Sequence, residues 1–233
     1  MEGYTAEDFI AGKVIHIDKE IDWTSFDVVN KIRISLRNEL GIKKIKVGHA
    51  GTLDPLASGL VICCSGKATK QIESFMGLDK EYIAEISLGS TTPSFDLETA
   101  IDQHFDYKHI TLNMLEAALK DFRGDILQAP PIFSAKQIDG KRAYTMAREG
   151  ALFEMKKNLV RIHELEILRF ELPEIRIRIL CGKGTYIRSL AHDLGIKLGS
   201  GAHLSGLRRT KIGDFHVNDA EKISDFTKKL KPL

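Results

Sequence analysis

The sequence contains few cysteines and no long apolar segment, and these two absences exclude several classes of protein. Its 233 residues include three cysteines, at positions 63, 64 and 181, and no Cys-x-x-Cys spacing. A disulfide framework or a zinc site is therefore not expected, and the three thiols are expected to be buried in a reducing compartment. The longest unbroken apolar run is residues 60–64, far short of the roughly 20 that a membrane helix needs. We expect a cytoplasmic protein with no membrane contact.

The chain also lacks a Pro-, Ser- or Gly-rich linker, an internal repeat and a basic-then-apolar signal segment at its start. A chain of this length can bury a hydrophobic core that is stable without disulfide bonds or bound metal ions. We therefore expect residues 1–233 to form a single domain. Nothing in the sequence implies a protein partner, so a monomer is expected.

Charge is nearly balanced overall but unevenly distributed. The net charge is +2, which by itself says nothing about nucleic acid. Residues 71–125 carry four basic and eleven acidic side chains, whereas residues 126–211 carry sixteen basic and eight acidic ones. A protein with one basic region can bind a polyanion while remaining near neutral. Unrelated surface charges would give the same counts, so charge alone does not decide between these interpretations.

Periodicity predicts an α+β fold on a mostly antiparallel sheet. Apolar stripes and cap residues predict helices at residues 24–41, 111–124, 143–149 and 186–198. Alternating or continuous apolar runs predict strands at residues 14–18, 60–64, 82–88, 160–170 and 175–181. In the last strand, the isoleucines face one way and Arg176 and Arg178 the other. Strands with one polar face favour an antiparallel sheet covered by helices on the other face.

One segment concentrates unusual local chemistry. Residues 48–59 read Gly-His-Ala-Gly-Thr-Leu-Asp-Pro-Leu-Ala-Ser-Gly and lead directly into an apolar strand. The glycines and the proline predict an irregular loop, and Pro55 keeps Asp54 out of the helical region. A rigid loop beside a strand can hold a carboxylate at a cleft. Asp54 could equally serve only the turn. A phosphate-binding P-loop is excluded, since Gly66-Lys67 is followed by Ala68 and position 61 is Val.

Three further clusters carry candidate binding residues. Residues 181–188 end a strand and open a helix, with two glycines, Tyr186 and Arg188. A helix start favours anions, although a tight turn with solvated cations fits as well. Residues 204–211 are basic, and residues 79–82 place Tyr82 near the start of a strand.

Together these segments resemble the tRNA pseudouridine-55 synthases, the TruB-type branch of the pseudouridine synthases. Residues 48–59 are similar to the catalytic motif of that family almost residue for residue. Lys80-Glu81-Tyr82, Gly184-Thr185-Tyr186-Ile187-Arg188 and Leu207-Arg208-Arg209 match its other motifs in the expected order. The resemblance covers roughly residues 13 to 215. It implies a pseudouridine synthase fold and an isomerase that converts uridine 55 in the T-loop of tRNA to pseudouridine.

The resemblance also implies roles for individual residues. Asp54 matches the nucleophile, Arg188 would keep it ionised, and Tyr82 would stack on the uracil and could act catalytically at C5 during proton loss. Base flipping is required to reach the target, and His49 would fill the space that the base leaves. The other expected substrate-binding residues are Tyr186, Leu207, Lys19 and Arg208. The isomerisation needs no redox or energy cofactor, and no cofactor or metal is expected. Whether Asp54 attacks sugar or base, or removes the 2′ proton, is left open.

Two departures from the family pattern matter. The early motif usually has Pro and Gly where this sequence has Glu20 and Asp22, which raises a question about backbone geometry there. Many relatives continue into a C-terminal RNA-binding domain of the PUA type, and no such separate domain is expected after residue 211. We expect the T-arm stem-loop to be gripped mainly by basic residues of 126–211. The candidates are Lys136, Lys141, Arg142, Arg148, Lys183, Arg208, Arg209 and Lys211.

Two other functional classes remain as alternatives. A non-catalytic RNA-binding or RNA-folding module would share the fold but would not need Asp54 and Arg188. A glycoside or nucleoside hydrolase would need a second positioned carboxylate. Glu81 and Asp193 are the motif-adjacent candidates for that second carboxylate.

Overall fold

The computed structural model describes residues 4–134, 137–138, 141–142, 145–146 and 155–230. Within them the helices are α1 Ala6–Ala11, α2 Ser25–Leu40, α3 Ile72–Gly77, α4 Leu112–Lys120, α5 Ile187–Lys197 and α6 Ile223–Lys228. The first strands are β1 Val14–Lys19, β2 Val47–His49, β3 Ala57–Ser65, β4 Lys80–Leu88, β5 Ser90–Thr91 and β6 Gln103–His104. The later strands are β7 Gly124–Gln128, β8 Gln137–Ile138, β9 Lys141–Arg142, β10 Asn158–Glu171, β11 Glu174–Cys181, β12 Ala202–Ile212 and β13 Phe215–His216.

The chain divides into two compact units, Met1–Tyr82 with Arg208–Leu233, and Ile83–Leu207. Each boundary falls inside a strand, so β4 and β12 each contribute residues to both units. In the first unit the strand order is β1-β3-β12-β4, with β2 paired to β3 and β13 to β12. In the second unit the order is β12-β4-β11-β10-β7. The prediction of a single domain stays a prediction.

The first unit is built around the buried strand β3 and the helix α2. Strand β1 pairs antiparallel with β3, from Val14 opposite Cys64 to Lys19 opposite Gly59. Residues 60–64 are completely buried, as the unbroken apolar run predicted. Helix α2 begins at a Thr24 capping box and ends at Gly41 in the left-handed conformation, which confirms the predicted helix.

The second unit is a long antiparallel hairpin with helices. Strands β10 and β11 pair antiparallel, and β7 pairs antiparallel with the start of β10. Ile175, Ile177 and Ile179 are buried, while Arg178 forms ion pairs with Glu164 and Glu166 on the exposed side. The alternation of these residues therefore confirms the predicted strand and its two faces. Helix α5 follows Tyr186, as the sequence predicted.

One boundary prediction is wrong, and another prediction falls outside the described residues. Helix α4 begins after Thr111 as expected but ends at Lys120. Gly124, expected to close it, has φ +86 and opens strand β7. A glycine with positive φ fits either role, so the sequence did not distinguish them. The helix expected at 143–149 lies almost wholly outside the described residues.

The three cysteines are free and buried, as predicted from their number and surroundings. Burial raises the pKa of the Cys63 thiol to about 12 and that of Cys64 to about 11. Neither of these two is therefore an activated thiolate. Within the described ranges, no helix is both long enough and apolar enough to cross a membrane.

Candidate active site

The motif at residues 48–59 runs from the end of strand β2 through an irregular loop at 50–56 into the start of strand β3, all in the first unit. His49 in β2 is opposite Cys63 in β3, and the Ala50 amide donates to the Ile62 carbonyl at 2.8 Å. Asp54 is half-buried between these two anchored ends, and its carbonyl accepts a hydrogen bond of 3.0 Å from the Ala57 amide. The carboxylate is thus carried by a short irregular segment that is held at both ends.

Lys19 secures this loop from the β1 side. Its side chain is 1% exposed, and its ammonium group donates to the carbonyls of Glu20, Trp23, Pro55 and Ala57. Burial lowers the pKa of Lys19 to about 8, and the Asp54 carboxylate partly opposes this by favouring the charged form. The carbonyl contacts position the residues that flank Asp54. Sequence analysis predicted that Lys19 binds substrate, and that role remains a prediction.

Arg209 secures the same loop from strand β12. It is 1% exposed, and its guanidinium donates to the carbonyls of Leu60 at 2.7 Å, Thr52 at 3.2 Å and Gly51 at 3.2 Å. A guanidinium buried against three carbonyls is not available to RNA phosphates. The prediction that Arg209 contacts phosphate is therefore wrong. Its basic character suggested a surface role, but the strand turns it into the core.

Arg208 points the other way from the same strand, because successive strand residues face opposite sides. It makes a bidentate ion pair with Asp18, at 3.0 and 2.8 Å, and donates to the Ser58 hydroxyl at 3.3 Å. Arg208 remains 41% exposed in its side chain. It therefore contacts the end of the loop while part of it stays open to solvent, where the predicted substrate contact would be made.

Two further contacts hold the loop, and both come from the early motif in which the sequence analysis noted Asp22. The Ser25 hydroxyl accepts from the Leu53 amide at 2.8 Å and lies 3.3 Å from the Leu53 carbonyl, next to Asp54. Asp22 donates its amide to the Pro55 carbonyl at 2.9 Å and has φ +68. Asp22 occupies the position where the family usually has Gly, and it adopts the left-handed conformation that Gly favours. At this position, therefore, the chain has a conformation that Gly adopts readily.

The other predicted residues of the first unit are more buried than an exposed binding surface would be. Burial lowers the pKa of His49, so the imidazole is biased toward its neutral form. Tyr82 in β4 is 8% exposed. Neighbouring Glu81 accepts from the Thr210 hydroxyl at 2.7 Å and lies 3.9 Å from the Lys211 ammonium group. These contacts give Glu81 structural partners, which weakens its candidacy as a hydrolase carboxylate.

Arg188 in the second unit lies in the first turn of α5 and is 4% exposed. Its guanidinium donates to the Ser94 carbonyl at 3.3 Å and lies 3.6 Å from the Asp96 carboxylate, which is also buried. The sequence did not single out Asp96, because it lies in a segment with no recognised motif. The expected pairing of Arg188 with Asp54 stays a prediction.

The start of α5 is held by the end of strand β7. The Gln128 side-chain amide donates to the Tyr186 carbonyl at 3.1 Å, and its oxygen accepts from the Tyr186 amide at 2.8 Å. The Ser189 hydroxyl donates to the Ala129 carbonyl at 2.7 Å. These bonds position Tyr186 and the turn that carries Arg188. Leu207 in β12 is half-buried. Asp193 lies on the same helix as Arg188, and burial raises the pKa of its carboxyl group.

Several of the predicted phosphate contacts cannot be placed. Lys136 and Arg148 lie outside the described residues, and only the backbone of Lys141 and Arg142 is described. Lys183 is exposed. In the described residues, no group of three or more His, Cys, Asp or Glu side chains is arranged to hold a metal ion.

Comparison with protein families supports the motif-based resemblance. The family model described as TruB family pseudouridylate synthase (N terminal domain) matches residues 37–187. The chain belongs to the TruB family. A second model, described as tRNA pseudouridylate synthase B C-terminal domain, matches residues 188–231, which include β12, α6 and all of α5 except its first residue. The family resemblance predicted from the motifs is therefore confirmed.

Curated relatives in the TruB family cover nearly the whole chain. The tRNA pseudouridine synthase B of Phocaeicola vulgatus is 56% identical over 218 residues, covering 94% of this chain and 93% of the relative. That of Flavobacterium johnsoniae is 51% identical over 227 residues, covering 97% and 99%.

Solved structures show the same fold. A Cbf5-Nop10-Gar1 complex contains a chain that is 27% identical, with a TM-score of 0.71 over 98% of this chain. A structure titled H/ACA RNP bound to a substrate RNA containing 2'-deoxyuridine gives 26% identity and a TM-score of 0.68 over 99%. This chain spans 62% and 64% of those two chains. The α+β, mostly antiparallel pseudouridine synthase fold is thus confirmed.

Proposed function

We propose that this protein is a tRNA pseudouridine synthase that isomerises uridine 55 in the T-loop. The observation that carries the proposal is the position of Asp54 in a loop held by three separate groups, Ser25, Lys19 and Arg209. Family membership supports the reaction type, and the names of the curated relatives support tRNA as the substrate. We further propose that it acts on the T-arm stem-loop as a cytoplasmic monomer without a cofactor.

The chemistry requires a carboxylate held in a defined place. The bond between the ribose and N1 of uracil breaks, the base turns, and a bond from the ribose to C5 forms. The C5 hydrogen leaves as a proton and N1 gains one, so no electron or group is added or lost. A rigid loop lowers the cost of placing the Asp54 oxygen at the reacting atom, since positioning can supply much of a barrier reduction.

The remaining residues have proposed roles consistent with their chemistry. Arg188 would favour the ionised form of Asp54. Tyr82 would stack on the uracil, with Tyr186 and Leu207 lining the base pocket. His49, biased toward its neutral form by burial, would occupy the space that the flipped base leaves in the RNA.

Release of tritium from C5-labelled uridine in a T-arm stem-loop tests the proposal. A synthase releases tritium and leaves the uracil attached to its ribose. Binding without release would instead indicate an RNA-binding module, and free uracil would indicate a hydrolase. Either of these two results would overturn the proposed function.

A further inference from the structure

A cavity on the first unit is lined by cations and by no carboxylate. It has a volume of about 350 Å³ and lies between the exposed side of α2 and the segment that follows it. Its charged lining residues are Arg33, Arg37, Lys43 and Lys44, and Asn30 and three isoleucines complete the lining. A second cavity of about 360 Å³ in the other unit is lined by Glu116 and Glu166 as well as by cations. The concentration of one sign of charge therefore distinguishes the first cavity.

The four cations are not neutralised within the described part of the chain. No ion pair there joins any of them to a carboxylate. The surrounding segment, residues 31–46, contains six basic residues and one acidic residue. Like charges around a concave surface repel one another and focus a positive potential there. An anion in the cavity would relieve that repulsion.

Arg33 connects this cavity to the proposed catalytic loop. Its guanidinium donates to the Asn30 side-chain oxygen and to the Val47 carbonyl, both at 3.4 Å. Val47 begins strand β2, which continues through His49 into the loop that carries Asp54. These two bonds use a minority of the five guanidinium donors, so Arg33 can offer others to a ligand.

We infer that this cavity binds a backbone phosphate of the RNA substrate. The inference rests on the proposed function, which supplies a polyanion as substrate. Phosphate contacts of this kind position an RNA without reading its sequence. The cavity would place one such contact on the unit that carries Asp54. It lies outside residues 126–211, to which the sequence analysis assigned most of the phosphate contacts.

The test compares two matched pairs of exposed lysines on the same unit. The cavity variant is Lys43→Gln with Lys44→Gln. The control is Lys67→Gln with Lys70→Gln, which removes the same charge from exposed positions that do not line the cavity. Dissociation constants are measured for a T-arm stem-loop and for full tRNA at several salt concentrations.

We expect the cavity variant to bind at least tenfold more weakly than the control variant near 0.1 M salt. Its log–log salt slope should be shallower by about 0.7 to 0.9, which is the contribution of one phosphate contact. If the cavity variant binds both RNAs more weakly, the phosphate belongs to the T-arm. If it binds only full tRNA more weakly, the phosphate belongs to another part of the tRNA. Equal affinities for the cavity and control variants would overturn the inference.

The same samples separate this inference from the proposed function. If wild-type protein forms pseudouridine and the cavity variant binds like the control, only the cavity inference fails. If wild-type protein forms no pseudouridine but the cavity variant alone loses RNA affinity, the proposed function fails and the phosphate site stands.

Discussion

Gly59 lies so close to Arg209 that no side chain fits between them. A Cβ atom built on Gly59 would be 2.2 Å from the Arg209 carbonyl oxygen and 2.7 Å from its amide nitrogen. Gly59 also has φ +110, which other residues rarely adopt. The end of the proposed catalytic loop therefore depends on a glycine, and the buried Arg209 guanidinium then reaches the loop carbonyls.

Gly59→Ala should strongly destabilise the protein. Both backbone strain and a clash with backbone atoms oppose the substitution, and we expect a loss of about 3 kcal/mol or more in unfolding free energy. Urea unfolding followed by circular dichroism measures it. Gly77→Ala is the control, because a Cβ there meets nothing within 4 Å and its φ is not in the positive range. A Gly59→Ala protein as stable as this control would contradict the close packing.

Asp54→Asn should abolish pseudouridine formation while leaving the fold intact. The substitution is nearly isosteric and removes the charge and the proposed nucleophile, so tritium release should fall by about a thousandfold or more. Binding of the stem-loop should change little. Turnover within tenfold of the wild-type value would refute the assignment of Asp54.

Arg188→Met should lose most activity and also some stability. Besides the proposed effect on Asp54, the substitution leaves the buried Asp96 carboxylate without its cation, which is costly. The double variant Arg188→Met with Asp96→Asn removes that unpaired charge, so it should recover stability but not activity. Recovery of both would show that Arg188 acts only through the fold.

The lowered pKa of Lys19 predicts how the stability of the protein changes with pH. Its pKa is about 8 in the folded protein, below its usual value of 10.5. Between these values the unfolded chain binds more protons, so stability should rise with pH through this window, by on the order of 3 kcal/mol. Lys19→Arg, which stays charged, should lack the rise. The unfolding free energies of wild type and Lys19→Arg are measured from pH 7 to 10.5. Because all other groups titrate alike in the two proteins, the difference between the curves reports Lys19. Parallel curves would contradict the lowered pKa.

Asp22→Gly should stabilise the protein. Asp22 has φ +68, and glycine adopts that conformation without the steric cost, for an expected gain of about 0.5 to 1 kcal/mol. Asp22→Ala is the matched control, since it removes the same charge near Lys19 but keeps a Cβ. The melting temperature of Asp22→Gly should be higher than that of wild type, and that of Asp22→Ala should be lower. An equal effect of both substitutions would point to charge instead of backbone conformation.

The sequence by itself determined the elements whose signal is local. The Thr24 cap and the Gly41 stop define α2, and the alternating isoleucines define β11, because caps and periodicity act over a few residues. The long motif at residues 48–59 likewise identified the TruB family and the loop that carries Asp54. These features need no knowledge of distant parts of the chain.

The tertiary structure decided which side chains hold that loop. Lys19 and Ser25 lie in one segment before the loop, and Arg209 lies near the other end of the chain. Nothing local distinguishes a lysine that binds carbonyls from one that faces solvent. Adjacent Arg208 and Arg209 look alike in sequence, but strand alternation places one beside Asp18 and buries the other. The cationic cavity of Arg33 and Lys43 was hidden too, because charge counted over long stretches of sequence averages its cations with acidic side chains that lie elsewhere in the fold.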